Sequence, residues 1–302
     1  MTTVWVARPE IVAELDGLGV TVALYDGTGE PPGPPETVDF YVPVLLPSRE
    51  SLEIMSRMPA LRVVQLQSAG VDQVRPFVPP GAVLCNAKGA HDAGTAEWCV
   101  GAIIASQRDF PEFATAQRDG RWAYHQTGTL ADSRILIVGA GSIGQALERR
   151  LEPFEVEITR AARTARPGVH GIAELPGLLP DADIVVLLVP STQETKGLVD
   201  RDFLARMKDG ALLVNAARGT VVDTGALLAE TGKGRLRAAL DVTDPEPLPP
   251  DHPLWRAPGV FITPHVAGST PASTRRVARL VRAQVARYIS GEPLVNVISG
   301  SY

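Results

Sequence analysis

The feature that most restricts what this chain can fold into is the stretch Ser133-Arg134-Ile135-Leu136-Ile137-Val138-Gly139-Ala140-Gly141-Ser142-Ile143-Gly144. It is an apolar run that stops at glycines spaced Gly-x-Gly-x-x-Gly. The pattern describes a buried strand turning sharply into a helix. Val138 ends the strand, Gly139 permits the tight turn, Gly141 lets a pyrophosphate approach the backbone, and Gly144 lets the helix pack closely on the strand. The first amides of that helix, at Ser142 and Ile143, and its positive dipole end then face the phosphates. Glycines of this spacing also punctuate ordinary turns. The confirming context is the strand before them and the helix-forming run Gln145 to Leu151 after them.

A chain of 302 residues with 45% hydrophobic content can bury two moderate cores, and two domains is the expected organisation. The formal net charge of -5, without a long basic run, argues against a nucleic-acid partner. The N-terminus carries no charged region followed by a long apolar stretch, and no later segment has the length of a membrane span, so a cytoplasmic protein is expected. Cys85 and Cys99 lie in apolar surroundings without metal-like spacing and read as reduced and buried.

Short apolar runs recur from the start: Val4 to Val6, Val20 to Leu24, Phe40 to Val42, Leu61 to Leu66 and Ala82 to Cys85. They read as buried parallel strands, with helix-like segments Ile11 to Leu18 and Ser51 to Met58 between them. Gly27 to Pro35 is a proline- and glycine-rich surface loop. Thr95 to Arg118 reads as one long helix leading out of the first sheet. After Gly144, strands follow at Val156 to Thr159, Asp183 to Val189, Ala211 to Asn215, Leu236 to Leu240 and Val260 to Ile262. With Arg134 to Val138 they make six, the count of a complete dinucleotide-binding sheet. Pro271 to Ile289 is an amphipathic helix behind the capping signals Ser269 and Thr270. The fold class expected is α/β, with two Rossmann-like or flavodoxin-like domains of parallel strands. A dinucleotide-binding domain, 99–269, is inserted into a discontinuous substrate domain, 1–98 and 270–302.

A site selective for NAD places an Asp or Glu about 20 residues beyond the glycines, at the end of the second strand, to bind the adenosine ribose. This chain has Arg160-Ala161-Ala162-Arg163-Thr164-Ala165-Arg166 there, with three arginines and no carboxylate. A ribose 2'-phosphate needs forked cationic donors and is repelled by an acid. The loop therefore points to NADP, with Arg163 and Thr164 as the phosphate contacts and NAD as the alternative cofactor.

Several segments in order resemble the D-isomer-specific 2-hydroxyacid dehydrogenase family. They are QSAGVD (Gln67 to Asp72), NAKGAHDAGTAEW (Asn86 to Trp98), the GAGSIG loop, VPSTQETKGLVD (Val189 to Asp200), LLVNAARGTVVD (Leu212 to Asp223), AALDVTDPEPLPPDHPLW (Ala238 to Trp255) and ITPHVAGST (Ile262 to Thr270). By that resemblance Arg218, Glu246 and His265 hold the positions of the family's catalytic Arg, Glu and His. Histidine, whose ordinary pKa is about 6.5, suits a general acid near neutrality, and a neighbouring carboxylate orients it and favours imidazolium. Arg218 presents a planar fork to a substrate carboxylate. The loop Ser68-Ala69-Gly70-Val71 resembles the family's backbone anchor, in which the amides of Ala69 and Gly70 bind the same carboxylate from the other domain. The cofactor site implied comprises Gly139, Gly141, Ser142, Ile143, Gly144, Arg163, Thr164, Val189, Pro190, Thr195, Ala216, Arg218, Asp241, His265 and Gly268.

What the resemblance implies is an oxidoreductase exchanging a hydride between NADP(H) and a small 2-oxo acid or D-2-hydroxy acid, most like the NADPH-using glyoxylate and hydroxypyruvate reductases, and a homodimer. Formate dehydrogenases of this superfamily carry an amide where this chain has Glu246, which disfavours formate oxidation. Two rivals stand beside this reading: an NAD-dependent D-2-hydroxyacid or phosphoglycerate dehydrogenase, and a nucleotide-sensing, corepressor-like binding protein. His125, His170 and His252 read as ordinary, and no histidine has a metal partner at useful spacing, so no metal is expected. His91, inside a family-like segment, is placed to line the cleft that the resemblance implies.

Overall fold

The structure, a computed structural model, describes residues 1–299; residues 300–302, which the sequence assigns to the end of the substrate domain, lie outside the described residues. The chain forms two compact units, one made of Met1–His91 with the segment from Thr270, the other of Asp92–Ser269.

In the first unit, β1 (Thr3–Val6), β2 (Thr21–Leu24), β3 (Phe40–Val42), β4 (Val63–Gln65) and β5 (Val83–Cys85) form a parallel sheet in the order β2-β1-β3-β4-β5. This is the flavodoxin-like order. Alternation along each strand feeds opposite faces. Val4, Val6, Phe40 and Val42 face one core, with Ile11 and Leu15 in and after α1 (Pro9–Glu14). Trp5, Tyr41 and Val64 face the other, with Leu52 of α2 (Arg49–Glu53). Two covered faces explain why these strands read as unbroken apolar runs. At the sheet edge β2 is only half covered, against the expectation of burial throughout.

The second unit begins with α3 (Asp92–Gln107) and α4 (Phe110–Arg118), where the sequence predicts one helix from Thr95 to Arg118. The chain breaks at Asp109, which takes φ +51°, and Pro111 sits in the first turn of α4, where a missing N–H costs nothing. Because α3 packs on α5 (Ser142–Leu151) and on the sheet, the division between units falls at its first residue, Asp92, rather than at 98/99.

Seven parallel strands follow: β6 (Arg134–Val138), β7 (Glu157–Ala162), β8 (His170–Gly171), β9 (Ile184–Leu187), β10 (Leu212–Asn215), β11 (Arg237–Leu240) and β12 (Val260–Ile262). Between them lie α6 (Leu175–Leu178), α7 (Arg201–Arg206) and α8 (Thr224–Gly232). Their order, β12-β11-β10-β9-β6-β7-β8, is the doubly wound 3-2-1-4-5-6 pattern with one strand added. The expected count of six lacked β8, a two-residue edge strand with no apolar signature. Ile184 and Val186 enter the core beneath α3 and α5, and Val185 and Leu187 the opposite core. Each such fully buried side chain stabilises the fold by ~1.5–3 kcal/mol.

The last helix, α9 (Pro271–Ser290), is capped by Thr270 accepting from Ser273 N and packs on α1 in the first unit. Both cysteines are buried and unbridged; burial pushes the Cys85 thiol up to about 11 and the Cys99 thiol upward as well. Among the described residues no helix is long and apolar enough to cross a membrane.

Candidate active site

The glycine loop follows β6 at the point where the strand order reverses. Gly139 has φ +121°, and a Cβ there would strike the backbone of Leu188; a Cβ on Gly144 would strike the carbonyl of Gly139. Strand, turn and helix are thus packed at backbone distance. A Cβ on Gly141 would meet nothing, and that residue is exposed. No side chain caps the start of α5, and its first turn holds no acid. The orphan amides of Ser142 and Ile143 therefore stand open to an anion. Ser142 Oγ donates to Asp92 Oδ1 at 3.2 Å.

Beyond β7 the three arginines separate. The strand runs to Ala162, further than the predicted Thr159, so Arg160 lies within it and pairs with Glu148 of α5 at 3.0 Å. Arg166 donates to the glycine-loop carbonyl of Ala140 at 2.9 Å. Arg163 and Thr164 form the exposed bend just past the strand.

Arg218, Glu246 and His265 come from loops following β10, β11 and β12. Asn215, at the end of β10, accepts from Ala217 N and donates to Arg218 O, both at 3.0 Å. Gly219 lies so close to the carbonyl of Thr243 that any side chain would overlap it, which brings the Arg218 loop against the one bearing Glu246. His265 Nδ1 is 2.6 Å from Glu246 Oε1. That hydrogen bond holds the Glu246 carboxyl below its ordinary range, against burial, with further help from the charges of His265 and Arg218. The ionised carboxylate accepts only, so Nδ1 carries a proton and Nε2 is the nitrogen left to act. His265 has φ +54°, in the left-handed region that residues other than glycine seldom adopt.

The buried carboxylate of Asp241 holds His265 in that turn. Its Oδ1 accepts from Thr263 Oγ1 at 2.6 Å and Val266 N at 2.9 Å, its Oδ2 from Ala267 N at 2.9 Å, and its carbonyl from His265 N at 2.7 Å. Three of about four carboxylate lone-pair directions are thereby used. Thr195 is equally committed: its hydroxyl donates to Pro190 O and accepts from Thr192 N, which leaves it to shape the loop 190–195. Val189 is buried, Pro190 exposed, and Ala216 and Gly268 half-buried beside these loops. The signals for Asn215 and Asp241 were present in the sequence: each is a polar residue closing a run of apolar ones.

In the first unit, Ser68, Ala69 and Gly70 form a half-buried loop beyond β4, and His91 Nε2 is 2.6 Å from the carbonyl of Gln67. His125, read as ordinary and without a metal partner at useful spacing, sits in a cluster with Asp109 and Glu112 whose ligand atoms lie within 4.8 Å of one another: its Nε2 is 3.0 Å from Asp109 Oδ2 and its Nδ1 3.1 Å from Ala123 O. The bond to Asp109 raises the pKa of His125. Two acceptors on two ring nitrogens describe an imidazolium paired with a carboxylate.

A doubly wound sheet, an open glycine loop at its switch point and an acid–base pair beyond neighbouring strands define a dinucleotide-dependent oxidoreductase. Residues 100–267 match the family described as D-isomer specific 2-hydroxyacid dehydrogenase, NAD binding domain. A glyoxylate reductase of Thermofilum pendens is 35% identical over 265 residues, 82% of this chain and 78% of that protein. A D-3-phosphoglycerate dehydrogenase of Archaeoglobus fulgidus is 29% identical over 258 residues, 82% of this chain but 49% of that protein. The crystal structure of a D-isomer specific 2-hydroxyacid dehydrogenase from Xanthobacter autotrophicus, in complex with NADPH and MES, superposes with a TM-score of 0.85 at 31% identity, covering 99% of this chain and 98% of that one. The chain belongs to the D-isomer specific 2-hydroxyacid dehydrogenase family. A nicotinamide dinucleotide fits the residues present, because the space beside Gly141 and the uncapped amides of α5 are what a pyrophosphate requires.

Proposed function

We propose that this protein is an NADPH-preferring reductase of a small 2-oxo acid, such as glyoxylate or hydroxypyruvate, yielding the D-2-hydroxy acid. The observation that carries the reading is the 2.6 Å hydrogen bond between His265 and Glu246, with Arg218 close enough to lower the carboxyl pKa. When bound, the nicotinamide supplies or accepts the hydride. His265 gives its Nε2 proton to the substrate oxygen as the carbonyl is reduced and takes it back in the reverse direction. Glu246 holds the ring through Nδ1 and compensates the charge of imidazolium. Arg218 binds the carboxylate and polarises the adjacent carbonyl through its fork. Within the first unit, the successive amides of Ala69 and Gly70 are donors suited to a carboxylate. The amides of Ser142 and Ile143 take the pyrophosphate, and Arg163 with Thr164 the 2'-phosphate, in keeping with the NADPH held by the Xanthobacter relative.

Initial rates with a panel of 2-oxo acids, using NADPH and NADH in turn, test this. A higher kcat/KM with NADH overturns the cofactor assignment, and absence of turnover with every 2-oxo acid overturns the reaction. His265→Ala is expected to remove most turnover while NADPH still binds. A second reading, an NAD-dependent phosphoglycerate dehydrogenase, is favoured by the match to the Archaeoglobus enzyme, and 3-phosphoglycerate with NAD in the same panel decides it. We further propose a homodimer, supported by Trp122 and Tyr124, which stand 95% and 89% exposed after α4. Sedimentation velocity tests it.

A further inference from the structure

We propose that Asn86 and His91 are positioning residues for the substrate carboxylate: they turn the peptide planes of the loop 67–70 so that its amides face an anion. The inference rests on the assignment of Ala69 and Gly70 as carboxylate donors and says what makes them so. All four carbonyls of this loop are taken by donors within the first unit. Gln67 O accepts from His91 Nε2 at 2.6 Å and Ser68 O from Ala87 N at 2.8 Å. Ala69 O accepts from Asn86 Nδ2 at 2.7 Å and Gly70 O from Ser68 Oγ at 2.7 Å.

In a trans peptide the N–H points opposite to the C=O of the same plane. Anchoring the carbonyls of Ser68 and Ala69 to the segment beyond β5 therefore aims the N–H groups of Ala69 and Gly70 the other way, and His91, through Gln67 O, fixes the plane of the Ser68 N–H from which those two planes turn. Two successive amides aimed to one side form a concavity suited to a carboxylate. Here the orientation is imposed from a neighbouring strand end, because β4 and β5 pair in register, Gln65 with Cys85, and the loops that follow stay adjacent.

The two side chains are themselves fixed. Asn86 is 2% exposed, and its Oδ1 accepts from Lys88 N at 3.1 Å, which decides that Nδ2 is the atom facing Ala69. A carbonyl can only accept, so His91 holds a proton on Nε2. Gln67, 3% exposed, is tied down by its own side chain donating to Pro43 O at 2.7 Å.

Steady-state kinetics on His91→Leu, His91→Gln and Asn86→Asp test this, with NADPH binding followed by fluorescence titration and thermal midpoints recorded. His91→Leu and Asn86→Asp, the latter setting an acceptor against an acceptor, are expected to raise KM for the 2-oxo acid about 10- to 100-fold, the value of one or two amide bonds to a charged group. Their kcat and NADPH affinity are expected to stay within about threefold of wild type. His91→Gln, whose Nε2 reaches to the same carbonyl, restores most of the loss. An unchanged KM, a KM rise matched by an equal loss of NADPH affinity, or a Gln variant as impaired as Leu overturns the proposal. Should Asn86→Asp fail to fold, the Leu and Gln pair at His91 decides alone. Wild-type protein that reduces no 2-oxo acid overturns the underlying assignment and this inference together; wild-type turnover with unmoved variants overturns only the inference.

Discussion

Replacing Asp241 by Asn tests the claim that a buried carboxylate holds His265 in place. The substitution keeps the shape and removes the charge. Asp241 is 3% exposed and accepts from Thr263 Oγ1, Val266 N and Ala267 N. An amide can offer oxygen on one side only. The cheaper orientation keeps oxygen toward Thr263 and Val266 and sets NH2 against the N–H of Ala267, itself 4% exposed. Leaving that donor buried and unpaired costs ~1–3 kcal/mol, and turning two charge-assisted bonds into neutral ones costs ~0.5–1 kcal/mol each. The sum, ~2–5 kcal/mol, lowers the melting temperature of a unit this size by roughly 5–15 °C. Because the loosened turn carries His265 at φ +54°, kcat should fall more than about 10-fold as the ring leaves its productive position. Differential scanning calorimetry and initial rates supply both numbers. A variant melting within about 2 °C of wild type would refute the reasoning, since a satisfied buried carboxylate cannot be that cheap to remove.

Three further substitutions separate the parts of the site. Glu246→Gln keeps an acceptor for His265 but loses the charge, so kcat is expected to drop about 10- to 100-fold with NADPH affinity intact. The same residue sets a pH dependence: its folded pKa lies below the ordinary 4.5, so its stabilising contribution is present above the unfolded value and disappears as pH falls through the folded one. Unfolding free energy against pH should therefore fall less steeply on the acid side in the Gln variant, by under ~1 kcal/mol because the pair is partly exposed. Arg163→Ala should weaken NADPH about 10- to 100-fold and leave NADH nearly unchanged in fluorescence titrations, and equal losses for both would remove Arg163 from the 2'-phosphate. Gly219→Ala drives a methyl into the carbonyl of Thr243; a stability loss of ~1–3 kcal/mol and a marked fall in kcat/KM are expected as the Arg218 and Glu246 loops part, and wild-type kinetics would show that their close approach is unimportant.

Residues whose role is local or periodic were legible in the sequence. Ile184–Leu187 is apolar throughout because the sheet is covered on both faces, and that alone marks a central parallel strand. The glycines of 139–144 are demanded by backbone contacts within a few residues of themselves, so their spacing survives as a motif. Non-local features were hidden. Nothing in Arg108-Asp109 announces the end of α3; the break goes with Arg108 Nε donating to Thr127 Oγ1 and with the pairing of His125 and Asp109, 16 residues apart. Arg160 counted in the sequence as one of three arginines in a loop; its place within β7, paired with Glu148 of α5, is set by a residue 12 positions away. β8 has two residues, paired to β7 and tied to Glu174, so no pattern precedes it.

A physical regularity joins three of the loops assigned to chemistry. Each is shaped by a nearly fully buried polar residue just at or past the end of a parallel strand: Asn86 after β5, Asn215 closing β10 and Asp241 after β11. A buried amide or carboxylate is costly unless its hydrogen bonds are made. For all three, the partners are backbone groups of the loop to be shaped: Ala69 O for Asn86, Ala217 N and Arg218 O for Asn215, Val266 N and Ala267 N for Asp241. Distorting any of the loops would strand a polar group inside a core of otherwise apolar strand residues. Loop geometry is thereby tied to the stability of the sheet, which lets His265 keep a strained backbone that an unsupported turn would relax. It follows that substitutions at these three positions should lower stability and activity together, whereas changes at Arg218, Glu246 or Arg163, which end in partly open space, should act on activity or affinity with little effect on melting.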